Sequence, residues 1–134
     1  MSDFDWTAYF DLAKKLSQED DEASLRSAIS RAYYYVFHIA LNRAKDNDYV
    51  HMPQTGTHKS MWQVYLGSPE PDCRNLGSIG QRLQGDRERA DYEDALPKLA
   101  DTTKKALSEA EKFAAILAAV PARHPRQSSQ RFQR

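Results

Sequence analysis

The chain has 134 residues, 40% of them hydrophobic and 28% charged, with 19 basic side chains balancing 19 acidic ones. Those proportions fit one soluble globular domain with a real core and exclude a disordered chain. No apolar run approaches the roughly 18 residues of a membrane span, MSDFDWTAYF lacks the basic start and apolar middle of a secretion signal, and the cytoplasm is the expected compartment.

Residues 5–18, DWTAYFDLAKKLSQ, place Trp6, Tyr9, Phe10, Ala13 and Leu16 three and four apart, which predicts an amphipathic helix with Asp5 as its N-cap. After the acidic break QEDDE a longer helix is predicted from about Glu22 to Lys45. Leu25, Ile29, Ala32, Val36 and Ile39 make one stripe, and Tyr33, Phe37, Ala40 and Ala44 widen it. A helix apolar over so much of its girth is central to a bundle, and the width also motivates an expectation of dimerisation. DNDYVHMPQTG, with Pro53 and Gly56, is a loop. Thr57 is placed to cap a short third helix, His58 to Leu66, carrying Met61, Trp62 and Tyr65. GSPEP breaks the chain before a fourth helix, about Asp72 to Ala90, with Leu76, Ile79 and Leu83 inward. Gly77, Gly80 and Gly85 weaken it by about 1 kcal/mol each against alanine, which close packing against a neighbour or a kink would explain. A fifth helix is predicted from about Ala95 to Ala119, with Pro97 in its first turn and Leu99, Thr103, Ala106, Leu107, Ala110, Phe113, Ala114 and Leu117 inward. The expected fold is all-α, an up-and-down bundle of four to five helices over residues 1–120.

The tail from 121 to 134 holds Arg123, Arg126, Arg131 and Arg134 and no acid, so residues 1–120 carry 15 basic against 19 acidic side chains, a net of −4. It is expected to be disordered, either solubilising the chain or touching phosphates. DNA binding through this tail lacks an accompanying recognition helix. The single cysteine, Cys73, can form no intrachain disulfide, and His51 and His58 have no Asp, Glu or Cys at metal-ligand spacing, so neither a metal nor a cofactor is expected.

Two polar clusters remain. Within SAISRAYYYVFHIAL, Arg31 and His38 stand nearly two helical turns apart, about 20° around the axis and roughly 10 Å along it. Tyr34 and Tyr35 lie between them. A guanidinium that stabilises phosphorane charge and an imidazole that moves a 2′-hydroxyl proton are what metal-independent RNA cleavage needs. The structural alternative is an Arg paired with a neighbouring helix's carboxylate and a His satisfied by a carbonyl or a tyrosine. In RLQGDRERADYED, residues 82–94, Arg82, Asp86 and Arg89 can share a face, and Arg87 and Asp91 stand four apart, the spacing of a local ion pair. Such runs are usually solvated helix ends; as a functional cluster this one would supply phosphate contacts or an Asp that orients Arg31.

LRSAISRAYYYVFHIAL, GTHKSMWQVYL and IGQRLQGDRERADYED, in that order across residues 25 to 94, together resemble small bacterial and archaeal HEPN-domain proteins. The resemblance implies a helical bundle that pairs as a homodimer through its central helices. Many HEPN proteins are RNases in which Arg, four to six residues and His from two copies converge on one composite site. Arg31 and His38, with six residues between, match; Arg43 and His51, with seven, do not. On this basis Arg31 and His38 would be catalytic and Arg87 and Arg89 would steer RNA. Tyr34 and Tyr35 would position a base or the dimer seam, and Asp91 and Tyr92 would support the site. The implied setting is a toxin or phage-defence system in the cytoplasm. The same family includes non-cleaving dimers that bind nucleotides, pair with a nucleotidyltransferase, or serve as subunits of defence systems. In that alternative Arg31 and Asp91 would form a buried structural pair.

Overall fold

The computed structural model describes residues 3–50 and 56–127, and the expectations for His51, Pro53, Arg131 and Arg134 lie outside the described residues. Five helices, α1 (Thr7–Ser17), α2 (Glu22–Asp46), α3 (Thr57–Leu66), α4 (Pro71–Tyr92) and α5 (Leu99–Ala119), make an all-α bundle with no strand among the described residues. No helix among them is long and apolar enough to cross a membrane.

The helix starts follow local chemistry. Asp21 caps α2 by accepting from the Ser24 N–H at 2.9 Å. Asp5 accepts from the Thr7 N–H at 3.0 Å and from the Thr7 hydroxyl at 2.6 Å, so it closes the first turn from one residue before the formal cap, Trp6. Two expected starts shift. Thr57 is the first residue of α3 and Gly56 its cap, and α5 begins after Lys98 and not around Pro97. Lys98 has φ 60°, the left-handed region, which ends any continuous helix through it.

α2 is the central element and touches the other four helices. Its own apolar girth is therefore covered within one chain, by α1 and α5 along one flank and α4 with α3 along the other. Ile29, Tyr33 and Val36 of α2 lock with Trp62 and Tyr65 of α3, Leu76, Ile79 and Leu83 of α4, and Phe113 of α5 in the solvent-free interior. α2 also sends an arginine to the end of each long neighbour. Arg26 donates to the carbonyls of Ala90 (2.9 Å), Glu93 (2.6 Å) and Asp94 (2.9 Å) past α4, and Arg43 to those of Leu117 (2.9 Å) and His124 (3.0 Å) past α5. Carbonyls at a helix C-terminus lack intrahelical partners and carry partial negative charge, so a guanidinium there satisfies both needs.

The folded part does not stop at residue 120. Asn47 donates to the Ala122 carbonyl at 2.9 Å, the Gln127 amide pairs with both backbone groups of Val50 at 3.0 Å, and Pro125 is buried. Residues 121–127, expected to be disordered, form a strap across the end of α2.

The α4 glycines divide by role. A Cβ at Gly80 would fall inside the buried Trp62 ring, and one at Gly77 would sit 2.8 Å from Leu66 Cγ, so both let α3 lie close on α4. Gly85 faces only Arg89 Nη1, at 3.7 Å.

Candidate functional site

Arg31 and His38 are both half-buried on α2, on the stripe Ser27, Arg31, Tyr34, His38 and Leu41 that the other helices leave partly open. Each is held by a ring of the α1 end. The Arg31 guanidinium carbon lies 5.0 Å from the centre of Tyr9, within the range of cation–π attraction. The His38 imidazole lies flat on Trp6, centroids 3.5 Å apart and planes 2° from parallel. Trp6 and Tyr9 meet edge to face at 4.9 Å, so the two holding rings support each other. Burial, with the neighbouring His58 and Lys45 adding to it, lowers the His38 pKa below its usual value.

Every other arginine in the five helices is hydrogen-bonded to carbonyls or carboxylates. Among the described residues Arg31 has no hydrogen bond or ion pair, and His38 has no hydrogen bond; neither hides a buried, unpartnered nitrogen. Stacking fixes their planes while their polar edges stay open to solvent.

The second cluster lies on the α4 side of α2. Ser30, buried, donates to Asp91 Oδ1 at 2.6 Å, and Arg87 Nη1 reaches Asp91 Oδ2 at 3.4 Å. Asp91 thus orients Arg87 and latches α4 to α2; it does not contact Arg31, so the expected Arg31–Asp91 pair is not formed. The Arg87 guanidinium carbon sits 5.6 Å from the Tyr33 ring and 5.5 Å from the Tyr34 ring. Tyr33 is fully buried, which raises its pKa, and its oxygen is 3.1 Å from Trp62 Nε1 and 2.6 Å from His58 Nδ1. His58 stacks on Phe37 at 4.1 Å, and burial, with the nearby Arg87 charge, lowers its pKa against the smaller opposing effect of Glu88.

The predicted residues therefore separate into three groups. Arg31, Tyr34 and His38 share the open stripe, with Arg87 and Asp91 beside it. Tyr35 does not join them: it is buried against Phe10 at 5.2 Å, inside the α1–α2 seam. Arg89 pairs with Asp86, and Tyr92 is 78% exposed. Arg87, Arg89 and Tyr92 border one concavity of about 650 Å³, which they share with Glu88 and Glu93 and not with Arg31 or His38. Sequence reasoning missed the holding rings Trp6 and Tyr9, the latch residue Ser30, and the Trp62–Tyr33–His58 chain. His58 was set aside for lack of metal-ligand neighbours; His-x3-Trp on an amphipathic helix was the available sign that the imidazole faces inward.

No protein-family model, curated protein or solved structure gives a significant match to this chain.

Proposed function

We propose that this chain is a HEPN-type, RNA-directed module, and that Arg31 and His38 from two copies converge on one site that cleaves RNA without a metal ion. The observation that carries the proposal is the ring-held, otherwise unpartnered state of Arg31 and His38 on a partly open stripe of α2. A second copy packed along that stripe would bring two such pairs together. A neutral imidazole takes the 2′-hydroxyl proton, the 2′-oxygen attacks phosphorus, and the bond to the 5′-oxygen breaks with a proton returned from an imidazolium. Arg31 offsets the charge that develops on the phosphoryl oxygens. The products are a 2′,3′-cyclic phosphate and a 5′-hydroxyl.

The test is incubation with labelled structured and unstructured RNA in chelator. Wild-type protein should cleave, and Arg31→Ala and His38→Ala, confirmed as folded, should each lose at least about 10²-fold in rate, the scale expected for a general base or a charge-stabilising group. Cleavage indifferent to both substitutions contradicts the proposal.

The second reading is a non-catalytic dimer that binds nucleotide or RNA, or scaffolds a protein partner such as a nucleotidyltransferase or defence-system subunit. The Ser30–Asp91–Arg87 bonds favour it, because they give the most recognisable block of the fourth helix a structural task. Ala32 favours it too, standing where HEPN nucleases often carry Asn or Asp after the Arg. Intact RNA together with a stable dimer would select this reading.

A further inference from the structure

The hydrogen bonds around Tyr33 determine where His58 carries its proton. An indole N–H can only donate, so the 3.1 Å contact from Trp62 Nε1 makes the Tyr33 oxygen an acceptor. The hydrogen of the Tyr33 hydroxyl is then directed to His58 Nδ1, 2.6 Å away. An Nδ1 that accepts places the single hydrogen of a neutral ring on Nε2. His58 Nε2 has no partner among the described residues and is not sealed from solvent. His58 is therefore a fixed, outward N–H donor.

Its neighbours are also donors with unfilled capacity. Tyr34 is half-buried, and its hydroxyl makes no hydrogen bond among the described residues. Its ring centre lies 5.9 Å from the His58 ring, 5.5 Å from the Arg87 guanidinium carbon and 6.5 Å from the His38 ring. Arg87 is 9% exposed, yet its guanidinium is poorly satisfied. Nη1 reaches Asp91 at 3.4 Å, Nη2 faces Glu88 only at 3.8 Å, and Nε is the one buried side-chain nitrogen or oxygen among the described residues without a partner. Buried guanidinium donors are normally paired; Nε is sealed from solvent, so the capacity a ligand can fill is that of Nη2. Glu88, 53% exposed along its side chain, also accepts from Gln84 Nε2 at 3.2 Å through the oxygen that faces Nη2, so a ligand on Nη2 has only the long 3.8 Å contact to displace.

We infer that His58 Nε2, the Tyr34 hydroxyl and Arg87 Nη2 form a phosphate-binding subsite at the junction of α2, α3 and α4. Its ligand is a phosphodiester of the RNA chain, which takes the place of Glu88 on Arg87. The inference rests on the RNA reading above but uses neither Arg31 nor the cleavage step. Tyr34 joins the two regions, so an RNA strand anchored here runs along α2 toward His38.

The test uses the full chain, phosphate-free buffer and a short 2′-O-methyl RNA, which cannot react through its 2′-oxygen. Nitrogen NMR of the free protein should show His58 protonated on Nε2 and bare on Nδ1, and RNA should shift the Nε2 resonance. Tyr34→Phe and His58→Leu should each weaken RNA binding about three- to tenfold, as loss of one hydrogen bond to a charged acceptor does. His58→Gln, which keeps an N–H near the same place, should recover most of the affinity. Wild-type affinity in both Tyr34→Phe and His58→Leu overturns the subsite, and so does a proton on Nδ1; the dependence of cleavage on Arg31 and His38 would then stand unaffected. A shift produced by a nucleoside monophosphate from a protein that binds no RNA overturns the RNA assignment and the functional reading with it.

Discussion

At the scale of single residues, the chain uses aromatic rings to set the planes of its polar groups. Trp6 orients His38, Tyr9 faces Arg31, Tyr33 and Tyr34 flank Arg87, and Phe37 carries His58. A consequence is measurable for His58. Its folded-state pKa lies below the ordinary histidine value of 6.5, chiefly through burial. Below that value the unfolded chain binds more protons than the folded one, so stability is fully present above about pH 6.5 and falls as the pH drops toward the folded pKa. Protonation would also turn Nδ1 from acceptor to donor and leave the Tyr33 hydrogen without an acceptor. Chemical denaturation at pH 7.5 and 5.5 should therefore show a larger loss for wild type than for His58→Gln; equal losses would show that His58 is not protonated against the fold. The positions of Arg31 and His38 on one face were legible in the sequence, since seven residues nearly complete two turns. Their partners were not. Trp6 and Tyr9 looked like ordinary members of an apolar stripe, and periodicity cannot separate a ring that fills the core from one that stacks on a neighbour's polar group.

At the scale of elements, all five helices and their inward faces were legible because the apolar spacing is strong, as in Ile29, Val36 and Ala40 of α2 or Phe113 and Leu117 of α5. The ends were less so. Pro97 carries a genuine preference for a first turn, but Lys98 at φ 60° intervenes, and a left-handed lysine has no sequence signature. The strap over residues 121–127 was hidden for another reason: Asn47, Gln127 and Arg43 hold it through backbone carbonyls, and any sequence offers those. The glycines of α4 give the sharpest test at this scale. Gly85→Ala should stabilise the protein by about 1 kcal/mol, since the added methyl meets only a flexible arginine and helix propensity improves. Gly80→Ala should destabilise it by about 1–3 kcal/mol, because Trp62 is buried and must move. Urea denaturation of both variants decides; if both changes were stabilising, α3 would not rest on α4 through this notch.

At the scale of the whole molecule, the girth of α2 that led to an expectation of pairing is taken up by the chain's own helices, so the pairing along α2 proposed above would have to use what is left. What is left is the stripe through Arg31, Tyr34, His38 and Leu41, which makes pairing and chemistry one question. Copies related by a two-fold axis along that stripe would face each other with like surfaces, as isologous interfaces require. In the dimer proposed above each copy would supply its guanidinium and its imidazole to the shared centre, and neither would be sufficient alone. The most direct measurement is therefore a mixing experiment with RNA in chelator: Arg31→Ala protein alone, His38→Ala protein alone, and the two exchanged together at equal concentration. Each variant alone should leave RNA intact and the mixture should regain part of the wild-type rate, because the mixed dimer again holds one guanidinium and one imidazole. A mixture as inactive as its components, beside an active wild type, would contradict a site shared between two copies; an inactive wild type would remove the cleavage reading itself.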